Sequence, residues 1–166
     1  MEGVFRSHCL VYGVDIETAC SVYEDDRTKV FVGDQSDRSF WRTLKKEIPM
    51  VDIVIDDGGH RAYQQIVSLE EMLPHIRPGG LYLCEDVHGD VNQFTSYVTG
   101  LAAHLNSFGM GASDEKKGIA YSTTQFQREI HSIHLYPFVI VIEKTDSFVY
   151  QFEAPKHGTE WQPFFE

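Results

Sequence analysis

Basic residues, cysteine pairs and long apolar runs are all scarce in this sequence, and each scarcity closes off a class of function. Lys and Arg number 14 against 25 Asp and Glu, a formal charge of −11. Polyanions and anionic membranes want a basic patch, so the balance predicts no nucleic-acid and no membrane partner. The three cysteines (Cys9, Cys20 and Cys84) are an odd number without CxxC spacing, which suggests neither a disulfide framework nor a zinc knot. The densest apolar run, Phe138 to Ile142, falls far short of a membrane span. The first residues, Met1-Glu-Gly-Val-Phe-Arg6, lack the basic-then-apolar pattern of a secretion signal. Together these point to a reducing, cytoplasmic compartment.

What is present fits one globular domain. A chain of 166 residues buries roughly 70% of its unfolded surface, enough for a core without metal or disulfide staples. In the first half, short β-rich runs alternate with helical patterns. Leu10 to Val14 reads as a strand ending at Asp15, with a short helix from Glu17 to about Tyr23. Lys29 to Val32 is a second strand, ending in Gly33-Asp34-Gln35. Ser36 and Asp37 are good N-cap residues for a helix over 38–47, with Phe40, Trp41, Leu44 and Ile48 on one side and Pro49 closing it. Val51 to Ile55 is a third strand, running into Asp56-Asp57-Gly58-Gly59-His60. Ala62, Ile66, Leu69 and Leu73 then mark a helix stopped by Pro74. Pro78-Gly79-Gly80 reads as a turn, followed by a fourth strand, Leu81 to Cys84, ending in Glu85-Asp86.

Near-continuous apolar strands separated by helices predict a doubly wound, mostly parallel α/β sheet covered on both faces. The second half differs. Val91, Phe94, Val98, Leu101, Leu105 and Phe108 trace an amphipathic helix, and Gly109 to Gly118 reads as a mobile loop. Ile130 to Leu135 and Phe138 to Glu143 predict an antiparallel hairpin about Tyr136-Pro137. We take 1–145 as the domain and 146–166 as a tail whose aromatics (Phe148, Tyr150, Phe152, Trp161, Phe164, Phe165) wrap the domain or a partner subunit, which leaves a homo-oligomer open.

Ligands of an open parallel sheet bind outside the carboxyl ends of its strands. Each strand of the first half ends in acid, so Asp15, Asp34, Asp56, Asp57, Glu85 and Asp86 would share one rim. Any single one is explained as a helix cap. The doubled pairs are not, because a cap needs only one acid. Crowded like charges repel unless neutralised, and a divalent cation held by Asp57, Glu85 and Asp86 is the natural candidate. His60, three residues after Asp57, carries a ring that titrates near neutrality and could take a proton from a metal-bound hydroxyl.

These residues also carry a resemblance. Tyr12-Gly-Val-Asp-Ile16, Val32-Gly-Asp-Gln-Ser-Asp37, Asp52-Ile-Val-Ile-Asp-Asp-Gly-Gly-His60 and Pro78-Gly-Gly-Leu-Tyr-Leu-Cys-Glu-Asp86 look like a class I S-adenosylmethionine-dependent methyltransferase. Within that superfamily they resemble the magnesium-dependent sugar O-methyltransferases of macrolide biosynthesis. The hairpin from Ile130 to Lys144 resembles the end of the same fold. The resemblance implies two cofactors, S-adenosyl-L-methionine and Mg2+, and a small-molecule acceptor such as a sugar or secondary metabolite. It assigns Asp15 to the cofactor ribose, Asp34 and Gln35 to the adenine side, and Asp56 to the methionine end. Asp57, Glu85 and Asp86 become magnesium ligands and His60 the general base. Gly58-Gly59-His60 stands where the family usually has Gly-Ser-His.

The family opens this domain with a strand and a glycine-rich turn that precede the strand ending at Asp15; neither is found before Leu10. That strand lies between those ending at Asp15 and Asp56. Its absence would leave backbone hydrogen bonds open or force the two neighbours to pair. The alternative is therefore a truncated, inactive remnant serving as an interaction module. A metal-dependent hydrolase using the same acids lacks a nucleophile or phosphate loop. Of the remaining residues, His131 and His134 are three apart on a strand, so alternation sets them on opposite faces and favours structural roles. Cys84 and Trp41 read as core, His88 could line the acceptor pocket, and Tyr97 and His104 are unreadable.

Overall fold

The computed structural model describes residues 9–89, 92–107, 121–152, 155–156 and 160–161, with side chains described from 9 to 150 within those spans except 121–122. Strand β1 (Val11–Asp15) leads through a 3-10 turn (Thr18–Tyr23) to β2 (Thr28–Val32), which pairs parallel with it. Asp37 caps helix α1 (Arg38–Glu47), accepting a hydrogen bond from the Ser39 N–H, and the helix buries Trp41 and Leu44 as its spacing predicts. Strand β3 (Val51–Asp56) and helix α2 (Ala62–Met72) follow, and a 3-10 turn containing Pro74 joins α2 to β4 (Ile76–Cys84). Asn92 caps α3 (Gln93–Leu105), whose Phe94 and Val98 are buried. After β5 (Tyr121–Ser122), a capping box on Thr124 and Gln127 opens α4 (Gln125–Glu129). The hairpin of β6 (Ile130–Tyr136) and β7 (Val139–Lys144) comes next. The tail contributes β8 (Gln151–Phe152), paired with β5, and a small hairpin of β9 (Pro155–Lys156) and β10 (Glu160–Trp161). Val91, Phe108, the loop 109–118 and the tail aromatics beyond Phe152, except for the backbone of Trp161, lie outside the described residues.

The architecture is mixed α/β, as the patterning predicts. The sheet, however, is not continuous. Strands β3-β4-β7-β6 form one four-stranded sheet, with β3 parallel to β4 and β7 antiparallel to both its neighbours. Strands β1 and β2 form a separate pair. The edges of β1 and β3 are not hydrogen-bonded to each other, and a cavity of about 320 Å3 lies between them, lined by Tyr12, Gly13 and Val14 on one side and Ile53 to Asp57 on the other. Among the described residues, β1 and β3 leave these two edges unpaired rather than pairing directly with each other. The four acid-tipped strands thus run parallel within each pair, β1 with β2 and β3 with β4, without sharing one ladder.

The described helices cover one face of the sheet. Helices α1, α2 and α3 lie in a single layer: Lys45 reaches the Glu71 carboxylate at 2.8 Å, Arg38 bridges to Glu70 and Glu71, and the Tyr97 hydroxyl donates to Glu70 at 2.7 Å. Beneath them Leu69, Ile76, Tyr82, Phe94, Val98 and Ile142 form the main core. A second cluster of Trp41, Leu44, Ile48 and Met72 reaches Tyr12, Val14 and Phe31, fastening the β1–β2 pair to the rest. On the opposite face of β3, Ile53 and Ile55 remain 48% and 54% exposed.

Pro78-Gly79-Gly80 is a second correction. It is not a turn before β4 but an irregularity inside it, where the register with β3 shifts between Val51 and Ile53. Gly79 takes φ +75 and donates its N–H to the Thr145 carbonyl at 2.9 Å, and a Cβ on Gly80 would run into the Asp52 carbonyl oxygen. The strand can therefore bend here without ending. A third correction concerns His131 and His134. The β6–β7 register shifts between Ile130 and Ser132, so strict alternation fails at His131. His134 Nε2 lies 3.4 Å from the Glu143 carboxylate, which Ser132 and His134 hold below the usual range by hydrogen bonding. Among the described residues, no helix is long and apolar enough to cross a membrane.

Candidate functional site

Three loops converge at the carboxyl ends of β2, β3 and β4. Asp56 closes β3 as a buried carboxylate, and burial raises its pKa above the usual range. Both of its oxygens are engaged: the Tyr82 hydroxyl donates to Oδ2 at 2.6 Å and the Gln35 amide to Oδ1 at 2.6 Å. Tyr82 itself is fully buried, and desolvation followed by the Asp56 charge pushes its hydroxyl pKa well up, so it acts as a donor. Tyr82 sits in an apolar strand that gives no hint of a polar task, and Ser68, which accepts from Gln35 at 2.7 Å, lies mid-helix. Sequence reasoning missed both. The one available signal was a hydroxyl-bearing residue in an otherwise aliphatic run.

Beyond Asp56 the chain turns through Asp57, Gly58 and Gly59 to His60. Asp57, His60 and Asp86 are exposed, and one ligand atom from each lies within 4.8 Å of the other two. His60 Nε2 is 3.7 Å from Asp86 Oδ2, and the ring of His88 stands 6.0 Å from that of His60. Asp86 holds φ +51, a left-handed conformation that aspartate tolerates better than most side chains. Its neighbours fix it there. The Glu85 N–H donates to the Asp56 carbonyl at 2.9 Å, and the Val87 N–H donates to the Phe138 carbonyl at 3.0 Å in the hairpin turn. The two carboxylates offer hard oxygen donors that suit a magnesium-like ion keeping part of its water shell, and the imidazole stands beside them as a base.

Of the eight residues singled out in the sequence, the structure brings Asp57, His60 and Asp86 together. Glu85 is half-buried beside them and stands outside the cluster. Gln35 joins Asp56 in the supporting network. Asp15 and Asp34 stand across the open seam, at the ends of β1 and β2. Each closes a local turn: Asp15 accepts from the Glu17 N–H at 2.8 Å, and Asp34 from the N–H and hydroxyl of Ser36, both at 2.7 Å. Those bonds hold both carboxyls below the usual aspartate range. Cys84 and Trp41 are core as predicted, 0% and 6% exposed.

Fold and loop order together resemble an α/β methyltransferase-type domain, and the comparisons with known proteins name its relatives. Over 143 residues the chain is 31% identical to the 8-demethyl-8-alpha-L-rhamnosyl tetracenomycin-C 2'-O-methyltransferase of Streptomyces olivaceus, covering 81% of this chain and 37% of that protein. Over 78 residues it is 44% identical to the demethylmacrocin O-methyltransferase of Streptomyces fradiae, covering 47% of this chain and 20% of that one. Its fold matches the MycE methyltransferase of the mycinamycin biosynthetic pathway, solved in complex with Mg and SAH, with a TM-score of 0.67 at 26% identity. That match covers 82% of this chain and 37% of MycE. No family model matches. The chain is thus a homologue of macrolide and polyketide sugar O-methyltransferases, and it spans little more than a third of the length of the longest-matching of these relatives.

Proposed function

We propose that this chain contributes the cation- and cofactor-binding loops of an S-adenosylmethionine-dependent O-methyltransferase acting on a hydroxyl of a sugar-bearing small molecule. The observation that carries the reading is the convergence of Asp57, His60 and Asp86 within 4.8 Å. Its carboxylate oxygens are donors of the kind Mg2+ takes, and the related MycE methyltransferase was solved with Mg. A bound Mg2+ would orient the acceptor hydroxyl and lower its pKa. Asp57 and Asp86 would hold the ion from two different loops, with Glu85 as the third carboxylate. His60 takes the acceptor proton at Nε2, and Asp86 beside it stabilises the imidazolium that results. Asp15 would face the cofactor ribose, with two hydroxyls meeting one carboxylate. Asp34 stands at the end of the neighbouring strand for the adenine side. Asp56 and Gln35 enter this reading as supports, because their polar atoms are already engaged within the protein.

A second reading, a fold that binds partners without turnover, draws support from the open seam between β1 and β3. One titration separates the two. Melting of the 166-residue chain is followed with S-adenosylmethionine, with Mg2+, and with chelator. Ligand at a hundred times its dissociation constant adds about 2.7 kcal/mol. A shift with cofactor, enhanced by Mg2+ and losing that enhancement in Asp57→Ala, is the expected outcome. A cooperative melt that neither ligand moves would overturn the enzyme reading in favour of the second.

A further inference from the structure

Gln35 lies at the end of β2, yet its side chain crosses the seam. Its Oε1 accepts the Gly59 N–H at 2.7 Å, while its Nε2 donates to Asp56 Oδ1 at 2.6 Å and to Ser68 Oγ at 2.7 Å. One acceptor and two donors are thereby placed entirely within the protein. The residue's own backbone is braced as well: the Trp41 indole N–H donates to the Gln35 carbonyl at 2.7 Å, and Trp41 is buried in the second core cluster. The approach is close: a Cβ on Gly58 would stand 2.7 Å from Gln35 Oε1, so a larger residue there would have to displace the glutamine amide. The Gly59 N–H belongs to the middle one of the three peptides that link Asp57 to His60. Holding it therefore sets where both side chains leave the loop.

We propose that Gln35 is the positioning residue of the cation site: it fixes the Asp57–His60 loop, and it makes that loop's geometry depend on where the β1–β2 pair sits. The inference rests on the cation-site reading and gives Gln35 a role different from the adenine contact its place in the motif implies. Partners one step behind a metal's ligands commonly alter its affinity tenfold or more when removed.

The test replaces Gln35 with a residue of equal length and no hydrogen-bonding capacity, Gln35→Met. Tyr97→Phe, which loses one hydrogen bond remote from the loop, is the comparator for a loss of packing and hydrogen bonding away from the site. Amide exchange at Gly59 is read by NMR in the metal-free chain, and Mn2+ affinity is read by titration. In Gln35→Met, Gly59 exchange should rise about tenfold and Mn2+ affinity fall about tenfold, with Tyr97→Phe leaving both within about twofold. Should Gln35→Met not fold, Trp41→Phe keeps a core aromatic but drops the brace, and should move both readouts the same way by about threefold. Unchanged Gly59 exchange in a folded variant overturns the proposal, as does an equal loss of Mn2+ affinity in Tyr97→Phe. Failure of the parent reading looks different: the wild-type chain takes up no Mn2+ while Gly59 exchange still responds to Gln35→Met.

Discussion

The four-stranded sheet and the β1–β2 pair are built from similar sequence and live under different physical terms. In the four-stranded sheet, Tyr82, Cys84 and Ile142 are wholly buried, sealed by Phe94 and Val98 from α3. In the β1–β2 pair no residue reaches that burial, although Val11, Val14, Val30 and Val32 give it as strong a β pattern. The difference lies in partners. A two-stranded sheet is marginal by itself, and this one is secured chiefly by Tyr12, Val14 and Phe31 against the α1 cluster. Propensity writes the strand, and neighbours decide its stability.

Core truncation should break the comparison most sharply. Phe94→Ala, at a fully buried position, should cost about 3–5 kcal/mol and lower the global urea midpoint. Phe31→Ala, at a half-buried one, should cost less than half as much and act mainly on local opening of β1 and β2, read by hydrogen exchange. Equal global losses would show the two sheets to be one cooperative unit. Next in size is Tyr82→Phe, which leaves Asp56 buried without one of its donors and should cost about 1–3 kcal/mol in a thermal melt.

Acidification should separate two further groups. Hydrogen bonding from Lys45, opposed by burial and helped by Arg38, holds Glu71 below the usual glutamate range. Its contribution is present at neutral pH and is lost as pH falls through the lowered value, beneath about 4.3. Asp56 is raised by burial, so its contribution runs the other way. Stability gained there as pH falls through the raised value saturates below about 3.9. A pH series of melts should therefore show Asp56→Asn removing the gain and Glu71→Gln removing the loss. The smallest effect is expected at the α1 cap, where Asp37→Ala should cost about 1 kcal/mol.

Much of this was legible in advance, for identifiable reasons. Helix α1 falls on the predicted residues because its cap, its apolar spacing and Pro49 all agree. Asp57, His60 and Asp86 were readable because strand ends deliver their loops to one rim. What stayed hidden depends on contacts between residues distant in sequence. Gln35 meets Asp56 across 21 positions and Tyr82 meets it across 26, and no periodicity encodes either meeting. The Pro78-Gly-Gly segment misled because the residues that make turns also let a strand bend. His131 misled because one register shift defeats alternation.

The left-handed backbone at Asp86 has an evolutionary consequence. At φ +51 glycine sits without steric cost and asparagine nearly so. Selection for thermal robustness alone would let this codon drift toward either. Retention of aspartate among descendants of this gene would then record a demand that folding does not make. Its replacement by glycine would date the moment a lineage stopped needing the charge.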